Sequence, residues 1–129
     1  MVRTAILDLN LATEQNRWII GSPPAVPESS RFSSRVIQVN YQKQPSKKEL
    51  LKGEKRHSHP QPIEEFYLVL RGSIDVEVEK ETLAVGERQI LCVSPGECHR
   101  VVDLSDDAEF LVFRAPLSTD GTKTECPEI

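Results

Sequence analysis

The chain has 129 residues, and its 20 acidic and 16 basic side chains give it a formal net charge of −4. This length predicts a single domain with one core and argues against a separate cofactor-binding domain. The acidic balance argues against nucleic-acid binding as the main function. A local basic run from Lys43 to Arg56 contains no aromatic residue on which a base could stack, so we interpret it as a solvated connection.

The cysteines and the hydropathy pattern bear on the cellular compartment. Cys92, Cys98 and Cys126 are odd in number and lack the paired spacing of a zinc knuckle or a redox dithiol. We therefore expect reduced cysteines, with Cys92 and Cys98 acting as small buried hydrophobic residues. The N-terminus shows no charged start followed by a long apolar run, and no stretch of about 20 consecutive apolar residues could span a membrane. These features predict a cytoplasmic protein without a membrane segment.

The N-terminal 35 residues predict a few short strands that precede the main body of the domain. Apolar runs at 5–7 and 17–20 indicate two of them, and the run at 36–41 indicates a third that begins the main body. The proline-rich stretch 21–27 predicts a loop, because each proline removes a backbone donor and constrains the residue before it.

A short helix is predicted next. Ser46 has the character of an N-cap, Glu49 follows three residues later as in a capping box, and Gly53 would end the helix. This pattern favours one or two helical turns.

The remainder of the chain is rich in β-strand signals. Between residues 74 and 78, valine and isoleucine alternate with acidic residues, which predicts a strand with one apolar face and one charged face. Further β-rich runs occupy 88–93, 98–104 and 108–114, separated by turn residues. We expect an all-β barrel or sandwich with its core at about 36–116 and an extended or loosely ordered polar tail at 117–129.

The three histidines stand in a pattern typical of a metal site. His57 and His59 lie one residue apart on a predicted strand, so alternation places both imidazoles on one face. Glu65 begins the next apolar run, and His99 follows the turn Ser94-Pro95-Gly96. Three nitrogens and one carboxylate oxygen are suitable ligands for a divalent transition metal.

The order and spacing of these residues resemble the two sequence motifs of the cupin superfamily. The first motif is matched by His57, His59, Glu65 and Gly72. The second motif is matched by Gly86, Pro95, Gly96 and His99. The resemblance covers roughly half of the chain and implies a double-stranded β-helix, or jelly-roll, barrel with additional N-terminal strands.

The resemblance also implies a metal site with a defined ligand set. The implied ligands are His57, His59, Glu65 and His99, and the implied ion is Fe, Mn, Ni, Cu or Zn. The gap between His59 and the glutamate is one residue longer than the commonest spacing, which leaves Glu64 as a competing ligand.

Three residues near the implied metal are candidates for a catalytic role. Glu65 or a bound water could move a proton. Lys55 shares parity with His57, so it would point into the cavity and hold an anionic substrate if the strand already begins there; otherwise it is a solvated lysine. Tyr67 shares parity with Glu65 and could line the pocket or donate a hydrogen bond, although an aromatic residue at this position more often belongs to the core.

Two functions fit this reading of the sequence. The first is a metal-dependent enzyme of the dioxygenase or isomerase/lyase type that acts on a small, oxygen-rich, anionic molecule. The second is a non-catalytic binding or sensor module for a small molecule such as a sugar, because fold alone does not decide function. The resemblance also implies a homodimer, for which the apolar residues of 18–20 and 36–41 could supply the surface; their burial within one chain is the alternative.

Overall fold

Strands make up most of the regular structure. The computed structural model describes residues 4, 6–11, 18–21, 32, 34, 36–116 and 123–128. A 3-10 turn, Leu9–Leu11, comes first. The other elements of these residues are β1 Trp18–Ile20, β2 Gln38–Lys43, α1 Lys47–Gly53, β3 His57–Ser58, β4 Glu64–Arg71, β5 Ser73–Val78, β6 Glu81–Gly86, β7 Ile90–Val93, β8 His99–Leu104, β9 Glu109–Ala115 and β10 Thr124–Glu125.

The strands form two antiparallel sheets of five strands each. The first sheet has the order β1-β2-β9-β4-β7, and the second has the order β10-β3-β8-β5-β6. Strands distant in sequence are neighbours in both sheets, and this separates the arrangement from a simple meander. The prediction of an all-β barrel is confirmed.

The main core lies between the two sheets, because both contribute their inward-facing residues to it. Val69 and Phe110 come from the first sheet, and Ile74, Val76 and Val101 come from the second; all five are at most 2% exposed. This packing explains the alternation of apolar and acidic residues at 74–78, because Ile74 and Val76 face the first sheet.

A smaller apolar cluster covers the outer face of the first sheet. Ile19, Val39 and Tyr41 are buried there, with Leu111 and Phe113 packed against them. The apolar residues considered for a dimer surface are thus partly buried within the chain. Val36, in contrast, is 66% exposed.

The N-terminal strands are only partly as predicted. β1 begins at Trp18, and the third strand runs two residues later than expected, from Gln38 to Lys43. The strand predicted at 5–7 is wrong in its described part, since Ile6 and Leu7 lie outside regular structure. Ala5, Arg17 and residues 22–27 of the proline-rich loop lie outside the described residues.

The short helix is confirmed. Ser46 is its N-cap, and the side-chain oxygen of this serine accepts a hydrogen bond from the backbone N–H of Glu49. The basic run around the helix is only partly solvated, because Arg56 is 6% exposed and forms ion pairs with Glu77 and Glu79.

The cysteines correct the sequence prediction. Cys98 and Cys126 form a disulfide, so these two residues are not reduced. Cys92 is exposed rather than buried, because alternation along β7 directs Val93 into the core and Cys92 to the opposite face. The described part of the tail, 123–128, is also more ordered than predicted: it contains β10, which pairs with β3.

Across the described residues, none of the helices has the length and apolar character that crossing a membrane requires.

Candidate metal centre

Four buried side chains converge at one end of the barrel. They are His57 on β3, His59 directly after it, Glu65 on β4 and His99 on β8. The potential ligand atoms all lie within 4.8 Å of one another. The predicted ligand set is therefore brought together in space. Glu65 is its carboxylate, whereas Glu64 faces outward and is exposed.

Both sheets are needed to build this cluster. In the second sheet, β3 pairs with β8 so that His57 lies directly opposite His99, and their ring centroids are 4.5 Å apart. In the first sheet, Glu65 extends from β4 between the imidazoles. Its Oε2 atom is 2.9 Å from Nε2 of His99 and 2.5 Å from Nε2 of His59.

Backbone carbonyls fix the orientation of two imidazoles. Nδ1 of His57 lies 2.7 Å from the carbonyl oxygen of Lys55, and Nδ1 of His99 lies 2.9 Å from that of Glu97. A carbonyl oxygen only accepts, so each Nδ1 carries a hydrogen and donates it. The Nε2 atom of each ring is then directed toward the cluster, as in metal-binding histidines, whose other ring nitrogen commonly donates to a backbone carbonyl.

The charges in the cluster are distributed unequally. Burial lowers the pKa of His57 to about 4, so its ring is neutral at pH 7. Burial also opposes the charge of His99, but the hydrogen bond and negative charge of Glu65 outweigh burial and raise the pKa of His99. Burial would raise the pKa of Glu65, yet hydrogen bonds from His59 and His99 lower it. The Glu65 carboxylate thus stays ionised, and its charge favours the protonated form of the His99 ring.

The donor set fits a divalent transition metal. Three imidazole nitrogens and one carboxylate oxygen favour Fe, Mn, Ni, Cu or Zn, whereas Mg²⁺ and Ca²⁺ prefer all-oxygen sites. An ion at this position would be held by His57, His59, Glu65 and His99, and it would supply Lewis-acid or redox chemistry. The buried carboxylate beside three imidazoles also provides the charge compensation that an ion needs in a barrel interior.

A cavity of about 280 Å³ adjoins the cluster. His57, Glu65 and Tyr67 form part of its wall, and Phe110 and Val101 connect it to the apolar core. Tyr67 is 3% exposed and belongs both to the core and to the cavity wall, so the two readings of this residue are compatible.

Three polar residues on β2 and β9 line the cavity and were not recognised in the sequence. Asn40, Gln42 and Arg114 are buried, with exposed fractions of 9%, 7% and 8%. Nε2 of Gln42 donates to Oδ1 of Asn40 at 2.7 Å. Strand alternation was the one signal that could have indicated Arg114, because this residue lies on the same face of β9 as Phe110. That this face points into the barrel became known only with the sheet register.

Two charged residues at the cavity come from segments outside the barrel strands. Glu54 follows α1, and Lys123 precedes β10. Burial raises the pKa of Glu54, although the positive charge of Lys123 opposes this shift. Within the part of the chain that is described, no hydrogen bond or ion pair engages the Glu54 carboxyl group.

Lys55 does not lie at the cavity. β3 begins at His57 rather than at Lys55, so strand alternation does not extend to this lysine. Its side chain is exposed and does not line the cavity, while its backbone carbonyl orients His57.

Comparison with known proteins identifies relatives of this architecture. A family model described as "Cupin domain" matches residues 49–114, just over half of the chain. A search of curated protein sequences finds no match.

Solved structures resemble the chain at low sequence identity. A protein from Planctomyces limnophilus is 14% identical, with a TM-score of 0.59 over 94% of this chain and 96% of that one. A Klebsiella pneumoniae protein with a double-stranded β-helix domain is 14% identical, with a TM-score of 0.56 and coverages of 74% and 78%. Streptomyces PAC13 with uridine is 12% identical, with a TM-score of 0.52 and coverages of 72% and 69%; Pac13 is described as a nucleoside dehydratase. These likenesses show the double-stranded β-helix fold.

Proposed function

This chain belongs to the cupin family, and we propose that it is a metal-dependent enzyme acting on a small, oxygen-rich, anionic molecule. The observation that carries the proposal is the buried cluster of His57, His59, Glu65 and His99 at the wall of a cavity. A site with four protein ligands beside a cavity leaves room for a substrate oxygen.

The charges around the cavity support an anionic substrate. Among the described residues, the lining contains the carboxylates of Glu49, Glu54 and Glu65 and the cations Arg114 and Lys123. With a divalent ion present, positive charges exceed negative charges by one. Arg114 is a suitable partner for a substrate carboxylate, because its planar guanidinium can donate two parallel hydrogen bonds. In this proposal Arg114 and Lys123 take the anion-binding role that the sequence suggested for Lys55.

The cavity also contains a group suited to moving a proton. The pKa of Glu54 is raised by burial, and general acids and bases work best when their pKa lies near the working pH. Glu65 is less suited, because its hydrogen bonds to His59 and His99 keep it ionised and fixed. Burial and the charge of Glu65 raise the pKa of Tyr67 well above 10, so its hydroxyl stays protonated and acts as a donor that orients the substrate.

The reaction type follows from these roles. An acid or base in the same cavity as a site that could hold a Lewis-acidic ion suits proton abstraction next to a carbonyl, which is the first step of many isomerase and lyase reactions. The structural likeness to a nucleoside dehydratase, which is a lyase, agrees with this choice. A dioxygenase reaction is the alternative if the ion is redox-active.

The first experiment tests the metal. The protein is purified without an affinity tag and analysed by plasma mass spectrometry beside a His57→Ala/His99→Ala variant. We expect near-stoichiometric metal in the native protein and its loss in the variant. Glu64→Ala is the matched control, because this exposed carboxylate neighbours Glu65 and lies outside the cluster. A native protein that takes up no metal even after reloading would contradict the proposal.

The second experiment tests catalysis. Metal-loaded protein is incubated with a panel of sugar acids and other small carboxylates, and NMR spectroscopy follows their conversion. We expect turnover by the native protein that falls at least a hundredfold in Glu54→Gln with the metal content unchanged. Binding without conversion would instead indicate the non-catalytic binding module. The homodimer and the cytoplasmic location stay predictions.

A further inference from the structure

The C-terminal strand β10 is attached to the same sheet that carries two of the four clustered histidine and glutamate side chains. Thr124 pairs with Ser58, and Glu125 pairs with His57. The backbone N–H of Cys126 donates to the carbonyl oxygen of Arg56 at 2.8 Å, and the side chain of Cys126 forms the disulfide with Cys98. Cys98 directly precedes His99.

The disulfide therefore encloses β3 between two neighbours. The order in this sheet is β10-β3-β8, and the disulfide joins the C-terminal end of β10 to the start of β8. β3 itself is two residues long, and its registered pairing with β8 is the single pair His57–His99. So short a strand contributes few backbone hydrogen bonds of its own, and its position depends on both neighbours.

We propose that the Cys98–Cys126 disulfide positions the metal ligands: it holds β3 between β10 and β8, and its reduction by a dithiol accelerates metal release. The inference rests on the metal site of the proposed function. In the reduction, the dithiol gives up two electrons and two protons and becomes a disulfide, while Cys98 and Cys126 each become a thiol. Cys98 is half-buried, so one of the two sulfur-bearing residues is partly open to the reductant.

Few contacts would remain after reduction: the two-residue pairing of β10 with β3, the backbone hydrogen bond from Cys126 to Arg56 and two side-chain contacts. Nη1 of Arg56 donates to the carbonyl oxygen of Pro127 at 3.1 Å, and Arg100 forms an ion pair with Glu128 at 2.9 Å. The Glu128 side chain is 68% exposed, and ion pairs this exposed contribute little. Thr124 and Glu125 are exposed as well, and Cys126 is the one buried residue of the described segment 123–128, so little apolar burial would hold β10 in place.

The other two clustered side chains have independent supports. Glu65 lies on β4, which is paired along its length with β9 and along half of its length with β7. The carbonyl oxygen of His59 accepts a hydrogen bond from the N–H of Gly96 at 2.8 Å. Reduction should thus weaken the hold of His57 specifically, because β8 keeps His99 paired with Val78 of β5, and it should leave Glu65 in place.

The experiment uses the full-length protein loaded with Co²⁺ alone. One sample is kept oxidised; the other is reduced with dithiothreitol, which is removed under nitrogen before loading so that it cannot bind the ion. We expect at least tenfold faster transfer of Co²⁺ to excess chelator from the reduced protein, together with altered visible absorption bands. A Cys98→Ser/Cys126→Ser variant should release Co²⁺ rapidly with or without the reductant, and Cys92→Ser should behave as the native protein.

Several outcomes would overturn the inference. One is an unchanged release rate and spectrum in protein whose thiol count has risen by two. Another is a purified protein in which all three cysteines are free. A third is loss of the far-UV circular dichroism on reduction, since the disulfide would then hold the fold rather than the site. Oxidised protein that binds no Co²⁺ would contradict the metal-dependent function itself, whereas Co²⁺ binding that ignores reduction would contradict only the role of the disulfide.

Discussion

Replacement of Gly72 by alanine should destabilise the protein strongly. Gly72 joins β4 to β5 with a φ of +71°, a conformation that costs a residue with a side chain about 1–2 kcal/mol. An added Cβ would also lie 2.3 Å from Oγ of Ser105, 2.6 Å from Oδ1 of Asp107 and 3.0 Å from Cα of Ala108. Such separations require the neighbours to move.

The movement has a definable cost. Oγ of Ser105 accepts a hydrogen bond from the N–H of Ser73 at 2.9 Å, and displacing it would forfeit about 1 kcal/mol. Asp107 can turn toward solvent, but Ala108 is fully buried and its backbone cannot shift freely. We therefore expect Gly72→Ala to lower the free energy of unfolding by about 3 kcal/mol, which is about a hundredfold in the unfolding equilibrium.

Substitutions at two other glycines distinguish the steric contribution from the backbone contribution. Gly96 has a φ of +83°, and an added Cβ there would meet nothing within 4 Å, so Gly96→Ala should cost only the backbone term of about 1 kcal/mol. Gly53 ends α1 without a positive φ and with open space around it, so Gly53→Ala should be neutral or slightly stabilising. Urea denaturation with a chelator present measures all three. A Gly72→Ala variant no less stable than Gly96→Ala would refute the steric argument.

Three further predictions concern the site and the core. Glu65 raises the pKa of His99, and a metal ion competes with a proton for Nε2 of this ring; metal affinity should therefore weaken as the pH falls through that raised pKa, by about tenfold per pH unit. Competition with a chromophoric chelator measures this, and a pH-independent affinity would contradict it. Tyr41→Phe should cost about 1 kcal/mol, because the hydroxyl donates to Glu109; equal urea midpoints for variant and native protein would exclude this. Phe110→Ala should cost about 3–5 kcal/mol, because this ring is 2% exposed between the sheets; thermal unfolding measures it, and a loss below about 1 kcal/mol would argue against that packing.

The clustered side chains were predictable because strand alternation and motif spacing carry local information. His57 and His59 share a face by alternation, and His99 opens the strand after a recognisable turn. The meeting of these residues with Glu65 is a long-range event that alternation cannot supply. The resemblance to a family with a known barrel supplied it, and the structure then brought the four side chains within 4.8 Å.

The cavity residues were harder to predict because their position depends on register. Arg114 faces inward only because β9 pairs with β2 and β4 in the observed alignment, and a shift of one residue would turn it outward. Lys55 shows the converse: the parity argument was sound, but the strand begins two residues later.

The disulfide was unpredictable for a topological reason. Cys98 and Cys126 are separated by 28 residues, and their approach depends on β10 returning to pair with β3. A polar segment with a single cysteine carries no signal for such a return.

A bound metal ion and the disulfide would connect different parts of the barrel. The ligands are divided between the sheets, since Glu65 belongs to the first and His57 and His99 to the second. A bound ion would therefore tie one sheet to the other, whereas the disulfide ties neighbouring strands within the second sheet. The two constraints meet at His57, because its imidazole belongs to the cluster around Glu65 and its strand β3 lies between β10 and β8. A change in the disulfide would thereby reach a bound ion through this side chain.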